Sequence, residues 1–210
     1  KAAHRPTPAL LAVSKLQPAS AAAELARAGQ RAFGENYVQE AQAKIGELAG
    51  MDLEWHLIGH LQSNKAELAA HLFDWVQTVD RHKLIGALSR YRPADRAPLN
   101  VLVQVNIDDE ASKHGCRPEE VAGLAEAIAA EPRLRLRGLM AIPAPHPDTA
   151  RRIDAFRRMQ ALQDQLAAKH PGVDTLSMGM SEDYALAVAH GATMVRIGTA
   201  LFGARPARTA

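Results

Sequence analysis

Short apolar runs of strand length alternate with longer amphipathic stretches from one end of the chain to the other, a β-then-α rhythm. Eight runs read as strands, at residues 10–15, 31–36, 53–59, 75–80, 100–106, 136–143, 175–181 and 193–203. The segments between them carry helix punctuation. Pro18 opens an alanine-rich stretch that Gly29 closes, and Pro118 opens another that Pro132 ends. Across residues 149–170, Ile153, Phe156, Leu162 and Leu166 fall near one face, which leaves Arg151, Arg152, Arg157 and Arg158 on a solvated one. Eight such units, in about the smallest length that holds them, predict an α/β chain folded as a single (β/α)8 TIM barrel over residues 1–210. An open doubly wound sheet is the weaker reading, because neither G-x-G-x-x-G nor G-x-x-x-x-G-K-[ST] follows any predicted strand.

Composition narrows the class of partner. The 210 residues are 47% hydrophobic and 23% charged, the balance of a globular chain able to bury a sizeable core. With 25 Lys+Arg against 23 Asp+Glu the net charge is only +2, so the totals imply no field that would draw nucleic acid or a membrane, and a small ligand is expected. One cysteine, Cys116, cannot form an internal disulfide, and no stretch reaches the roughly 20 apolar residues of a membrane helix; a cytoplasmic protein is expected. The opening KAAHRPTP lacks both Met and a signal-peptide core, so the natural start, with an N-terminal helix, is expected to be missing.

In a (β/α)8 barrel the chemistry sits where strands end. The first strand ends at Lys15, where partial desolvation would favour a neutral amine able to attack a carbonyl; on spacing alone, a lysine leaving for solvent is the commoner reading. The seventh runs into Ser177–Met178–Gly179–Met180–Ser181 and the eighth contains Arg196–Ile197–Gly198–Thr199. Both are small-residue turns that can cradle phosphate, at the strands whose loops most often do so. Either glycine alone could serve close packing. A Schiff-base lysine opposite a phosphate cradle points to pyridoxal 5'-phosphate (PLP). Arg196 falls on the same face as Gly198 and would donate to an unprotonated pyridine nitrogen, though a salt bridge at the barrel mouth is its simpler role. The pair His56 and His60 in H-L-I-G-H sits on a strand pattern with Gly59 between them, and Cys116 has no evident histidine partner, so neither a metal nor a catalytic thiol is assigned.

Seven blocks in one order, AVSK, FGENYVQE, EWHLIGHLQSNK, VNIDDEASKHG, RGLMAIPA, LSMGMSED and MVRIGTALFGAR, closely resemble the PLP homeostasis protein family over residues 10–205. That resemblance implies a barrel like the N-terminal domain of alanine racemase. It implies PLP held as a Schiff base on Lys15, Arg196 near the pyridine nitrogen and Asn36 near the ring. Ser177, Gly179, Met180, Ser181, Gly198 and Thr199 would surround the phosphate, and His56 and Met140 would line the pocket. Two positions depart from the family's usual pattern. Gln17 stands where relatives often have a second basic residue, leaving Lys65 and Lys113 as nearby candidates for secondary PLP handling, and His60 stands where many have proline.

A racemase needs two bases, and alanine racemases take the second from a C-terminal domain with no counterpart in these residues; Tyr37 and Tyr184 are the substitutes at hand. The reading is therefore a monomeric, non-catalytic carrier that buffers PLP and passes it to apo-enzymes. The rival is a weak amino-acid racemase.

Overall fold

The computed structural model describes residues 7–111 and 113–203. The expected loss of an N-terminal helix falls outside them. Strand and helix alternate as expected: β1 (Ala9–Val13), α1 (Ala19–Arg27), β2 (Ala32–Glu35), α2 (Val38–Glu47), β3 (Glu54–Leu57), α3 (Ala66–Leu72), β4 (Trp75–Val79), α4 (His82–Tyr91), β5 (Leu99–Val105), α5 (Val121–Ala129), β6 (Leu134–Ala141), α6 (Thr149–Lys169), β7 (Thr175–Ser177), α7 (Tyr184–Ala189), β8 (Met194–Ile197) and α8 (Thr199–Phe202). The strands are all parallel, and β8 pairs back onto β1, closing a barrel in sequence order. Among the described residues no helix is long and apolar enough to cross a membrane.

The helices form where the pattern asks for them. Pro18, with φ fixed at −65°, stands at the N-cap of α1, and Ala19, Ala22, Ala23 and Ala26 make a small-residue stripe that lets α1 lie close on the strands. Strand ends were harder to place. The expected eighth strand ran to Gly203, but the ladder stops at Ile197 and Thr199–Phe202 coil into α8; the seventh stops at Ser177 rather than Ser181. Both tails are short mixed runs of small and apolar residues, in which periodicity cannot separate a strand from a turn or a single helical turn.

Apolar packing divides into two shells. Between strands and helices, Phe33, Phe73, Phe156, Leu84, Leu88 and Ile128 are fully enclosed. Inside the barrel, Leu11, Ile58 and Met194 form one small cluster and Trp75, Leu102 and Met140 another. The same interior holds His56, Gln77, Ser177 and Arg196, all buried, so the barrel is filled partly by polar groups that must satisfy one another. At the opposite end from the strand C-termini, Arg137 lies 4.5 Å over the Trp75 ring and pairs with Asp174 at 2.7 Å.

Strand β6 carries a bulge that its sequence marks with glycine. Register against β5 steps from Val101↔Leu136 to Leu102↔Gly138, skipping Arg137, and Gly138 takes φ +145°. A Cβ there would sit 1.9 Å from the Thr175 carbonyl oxygen of β7. We expect Gly138→Ala to cost about 3 kcal/mol or more, through strain and forced separation of β6 from β7. Urea unfolding should show it as a lowered midpoint, whereas Gly123→Ala, on α5 with open space around it, should leave the midpoint unchanged or raised.

Candidate functional site

A cavity of about 570 Å3 opens at the C-terminal end of the strands. Lys15 from the β1–α1 turn and Arg196 from β8 both line it, with Asn36, Ser181, Gly198 and Thr199 around them. Each cationic group is set in place by a separate buried network.

The Lys15 turn is built on charge. The Ser14 hydroxyl donates to Glu35 Oε1 at 2.5 Å, Lys44 Nζ donates to the same oxygen at 2.6 Å, and Lys44 also donates to the Ser14 carbonyl at 2.6 Å. All three residues are buried. The next turn of α2 adds Glu40, whose Oε1 accepts the Leu16 N–H at 2.5 Å and holds Leu16 at φ +61°, a left-handed conformation that costs a leucine energy. Lys15 is thus carried on a strained turn clamped from below by Glu35, Glu40 and Lys44. Burial pushes the Glu35 carboxyl above its ordinary value, opposed by the Lys44 ammonium and the Ser14 hydroxyl.

Arg196 begins a hydrogen-bonded chain through the barrel. Its Nη1 donates to Ser177 Oγ at 2.8 Å, Ser177 donates to Gln77 Oε1 at 2.7 Å, Gln77 Nε2 donates to His56 Nδ1 at 2.9 Å, and His56 Nε2 faces Glu54 Oε1 at 2.8 Å. Every member donates in the same direction, which requires a neutral His56 with its proton on Nε2. Complete burial holds His56 below its ordinary value against the pull of Glu54, while the half-exposed Glu54 is kept ionised by that hydrogen bond. The His56 ring also stacks on Trp75 at 5.0 Å. The second nitrogen, Arg196 Nη2, donates to the Ala141 carbonyl at 2.8 Å. Burial lowers the Arg196 pKa to about 10, which leaves it protonated at neutral pH.

Gly179 shapes the third wall. Its φ of +95° brings its carbonyl to the Arg196 N–H at 2.9 Å and its α-carbon against α7, where a Cβ would meet Ala187 Cβ at 2.6 Å. The Met180 N–H then donates to Asp183 Oδ1 at 2.7 Å, fixing the turn that carries Ser181.

The profile of the family described as alanine racemase, N-terminal domain, matches residues 1–206. The chain belongs to that family. It is 56% identical over 199 residues to the pyridoxal phosphate homeostasis protein of Escherichia coli K12, covering 93% of this chain and 85% of that protein. Among solved structures, PipY of Synechococcus elongatus without PLP superposes with a TM-score of 0.89 at 41% identity, covering 95% of this chain and 94% of PipY. PipY with PLP bound gives 0.85 at 39% identity, with the same coverage.

Within this alanine racemase N-terminal-domain barrel, Lys15, Asn36, Met180, Ser181, Arg196, Gly198 and Thr199 meet in the cavity wall. His56, Met140 and Ser177 do not line it. They are buried in the barrel interior beneath the cavity, where Ser177 accepts from Arg196 and Met140 packs with Trp75 and Leu102. Gly179 likewise acts through the shape of its turn. The arginines of α6 are not uniformly solvated: Arg152 lines the cavity and Arg158 Nη2 donates to the Ile107 carbonyl at 2.7 Å. Sequence reading also passed over His146 and Asp183, which line the same cavity, and the Glu35–Lys44 pair. Lys44 lies nine residues after Glu35, on the inner face of α2; the only signal was a lysine where α2 presents Val38 and Ala41 to the core.

Replacing Lys44 by Met would leave the buried Glu35 carboxylate unpaired, a change that costs ~3–5 kcal/mol in comparable sites. The deficit should shrink on acidification. The folded-state pKa of Glu35 lies above its unfolded value, so between the two the folded state holds the proton, and stability is lost as pH rises through the folded value. Urea midpoints of Lys44→Met and wild type should therefore differ less at pH 5 than at pH 7.

Proposed function

We propose that this chain binds PLP in the 570 Å3 cavity, as a monomeric cytoplasmic carrier that buffers the cofactor and delivers it to apo-enzymes. The observation that supports this most directly is the placement of one lysine and one buried arginine in the wall of a single cavity, beside two small hydroxyl-bearing turns. The donor set fits the cofactor. Lys15 supplies an amine for the aldehyde, Arg196 a permanent cation that its hydrogen bonds already hold in place, and Ser181 and Thr199 hydroxyls for phosphate oxygens. Bound PLP would supply an electron sink, and a ring nitrogen facing Arg196 rather than a carboxylate would be a weak one. That suits holding more than catalysis. The name and coverage of the Escherichia coli relative, and PLP in the PipY neighbour, agree with the reading.

Delivery needs a surface for the recipient. Leu16, Tyr37, Ile142, Met180 and Tyr184 are exposed, and all stand on loops or helix starts at the same end of the barrel as the cavity. Neither Tyr37 nor Tyr184 lines the cavity.

The test is the visible absorption of purified protein and of Lys15→Ala after PLP addition and removal of excess, followed by borohydride reduction and peptide mapping. The wild type should be yellow, with the reduced adduct on Lys15, and the variant should lose the band while keeping its fold by circular dichroism. The loaded wild type should not interconvert amino-acid enantiomers. An adduct mapping elsewhere, or a colourless wild type, overturns the PLP reading; turnover of alanine enantiomers overturns the carrier reading in favour of a racemase.

A further inference from the structure

A second cavity of about 280 Å3 adjoins the first, sharing Asn36, Ile58 and Ile142 with it. His60 and His114 form part of its wall, their rings stacked at 3.7 Å and 14°. With Asp80 they place three ligand atoms, two imidazole nitrogens and one carboxylate oxygen, within 4.8 Å of one another. From these observations we propose that His60, His114 and Asp80 form a binding site for a divalent transition-metal ion of the zinc class, beside the PLP cavity and separate from it.

Three features argue that the cluster is built rather than accidental. First, both histidines come from a pinned backbone. Gly59, just before His60, lies so close to Asn36 that a Cβ would be 2.0 Å from its carbonyl oxygen, and the Gly59 carbonyl accepts the Thr78 hydroxyl at 2.8 Å. His114 precedes Gly115 and Cys116, and the Cys116 N–H donates to the Gln104 carbonyl at 2.9 Å while its own carbonyl accepts the Asn106 N–H at 2.8 Å. Second, Arg81 ties the carboxylate to the histidine loop: Nη1 donates to Asp80 Oδ1 at 2.6 Å and Nη2 to the Leu61 carbonyl at 2.8 Å. A ligating carboxylate is commonly oriented by such an outer hydrogen bond. Third, Gln104 is buried in the wall of the same cavity with its Oε1 lacking a hydrogen-bond partner among the described residues. An acceptor of that kind suits a water held in the remaining coordination position.

The donor set selects the ion. Two imidazoles and one carboxylate match the three-ligand sites that hold zinc with one position open, at bond lengths of about 2.0–2.2 Å. Ligand atoms bonded at those lengths in a tetrahedron lie roughly 3.4 Å apart, so binding would turn the two stacked rings out of parallel and draw the three atoms in from their present spacing. Lys113, in the same wall, has its ammonium 3.4 Å from Glu110, which moderates its charge.

Tag-free protein, stripped by chelator and reloaded with PLP, should be titrated calorimetrically with Zn2+ and, in parallel, with Co2+ while its visible d–d bands are followed. The expected result is saturable uptake of one equivalent, with Co2+ bands of a four- or five-coordinate nitrogen–oxygen site. His60→Ala, His114→Ala and Asp80→Asn should each weaken binding at least tenfold, and Arg81→Met about tenfold. His71→Ala, an exposed histidine on α3, should bind as the wild type does. All variants should keep their PLP absorption, which verifies the fold independently of the metal. Absence of saturable uptake by the wild type, or unchanged affinity in His60→Ala and His114→Ala, overturns the proposal and leaves the PLP reading untouched.

Discussion

A guanidinium inside a β-barrel is the constraint around which the interior is arranged. Arg196 is buried on β8, and among the described residues no carboxylate forms an ion pair with it; its charge is met by the Ser177 hydroxyl, the Ala141 carbonyl and a line of polarised groups behind them. An unsolvated cation would be prohibitive, so the barrel gives up apolar filling at Ser177, Gln77 and His56 to conduct dipoles toward Glu54. Trp75, stacked on His56 and capped by Arg137, seals that line on one side, and Met194 touches Gln77 Nε2 through sulfur at 3.2 Å on another. The polar chain and the two inner apolar clusters are therefore one packing solution. Removing any middle member strands a buried donor or acceptor on both sides of the gap.

Lys15 is positioned by the opposite device. Where Arg196 is neutralised by neutral dipoles, the turn under Lys15 rests on a full ion pair, Glu35 with Lys44, at the bottom of a strained left-handed Leu16. The Ser14 carbonyl accepts a hydrogen bond from the Lys44 ammonium, and this fixes the peptide that leads into Lys15. One Glu35 oxygen, Oε2, has no hydrogen-bond partner among the described residues, consistent with a carboxyl whose pKa burial has raised. A buried pair of this kind contributes little net stability compared with an apolar pair, and here it fixes the geometry of the turn that carries Lys15.

The fold was legible because eight apolar runs and their helical spacers repeat without interruption, and the cavity's strand-end residues were legible because barrels put chemistry at that end. Depth was not. His56, Ser177 and Met140 alternate inward on their strands as Arg196 does, and a period of two cannot tell the layer that meets the cavity from the one beneath it. Arg152 was hidden for a related reason: four arginines on one helix read as a solvated face, yet the start of α6 lies over the cavity mouth, so the first turn faces the site and the later turns do not. Lys44 and His114 gain their meaning only from partners nine and fifty-four residues away, contacts that no local pattern encodes.

The two halves of the cavity differ in how firmly they are held, and this bears on how a ligand would come and go. Lys15, Arg196 and Asn36 stand at strand ends or on turns tied to buried networks, whereas Ser181, His146 and Arg152 stand on the segments after β7 and β6. The β7 turn is fixed by the Arg196 N–H to Gly179 carbonyl bond at 2.9 Å, the Tyr184 N–H to Met180 carbonyl bond at 2.8 Å and, at the exposed surface where water competes, the Met180 N–H to Asp183 bond. The segment after β6 has a comparable tie, the Ala144 N–H to Asp108 at 2.6 Å. Neither side-chain tie belongs to the strand ladder. Leu16, Tyr37, Ile142, Met180 and Tyr184 are exposed on the same rim, so the mouth of the cavity is apolar where its floor is polar and charged.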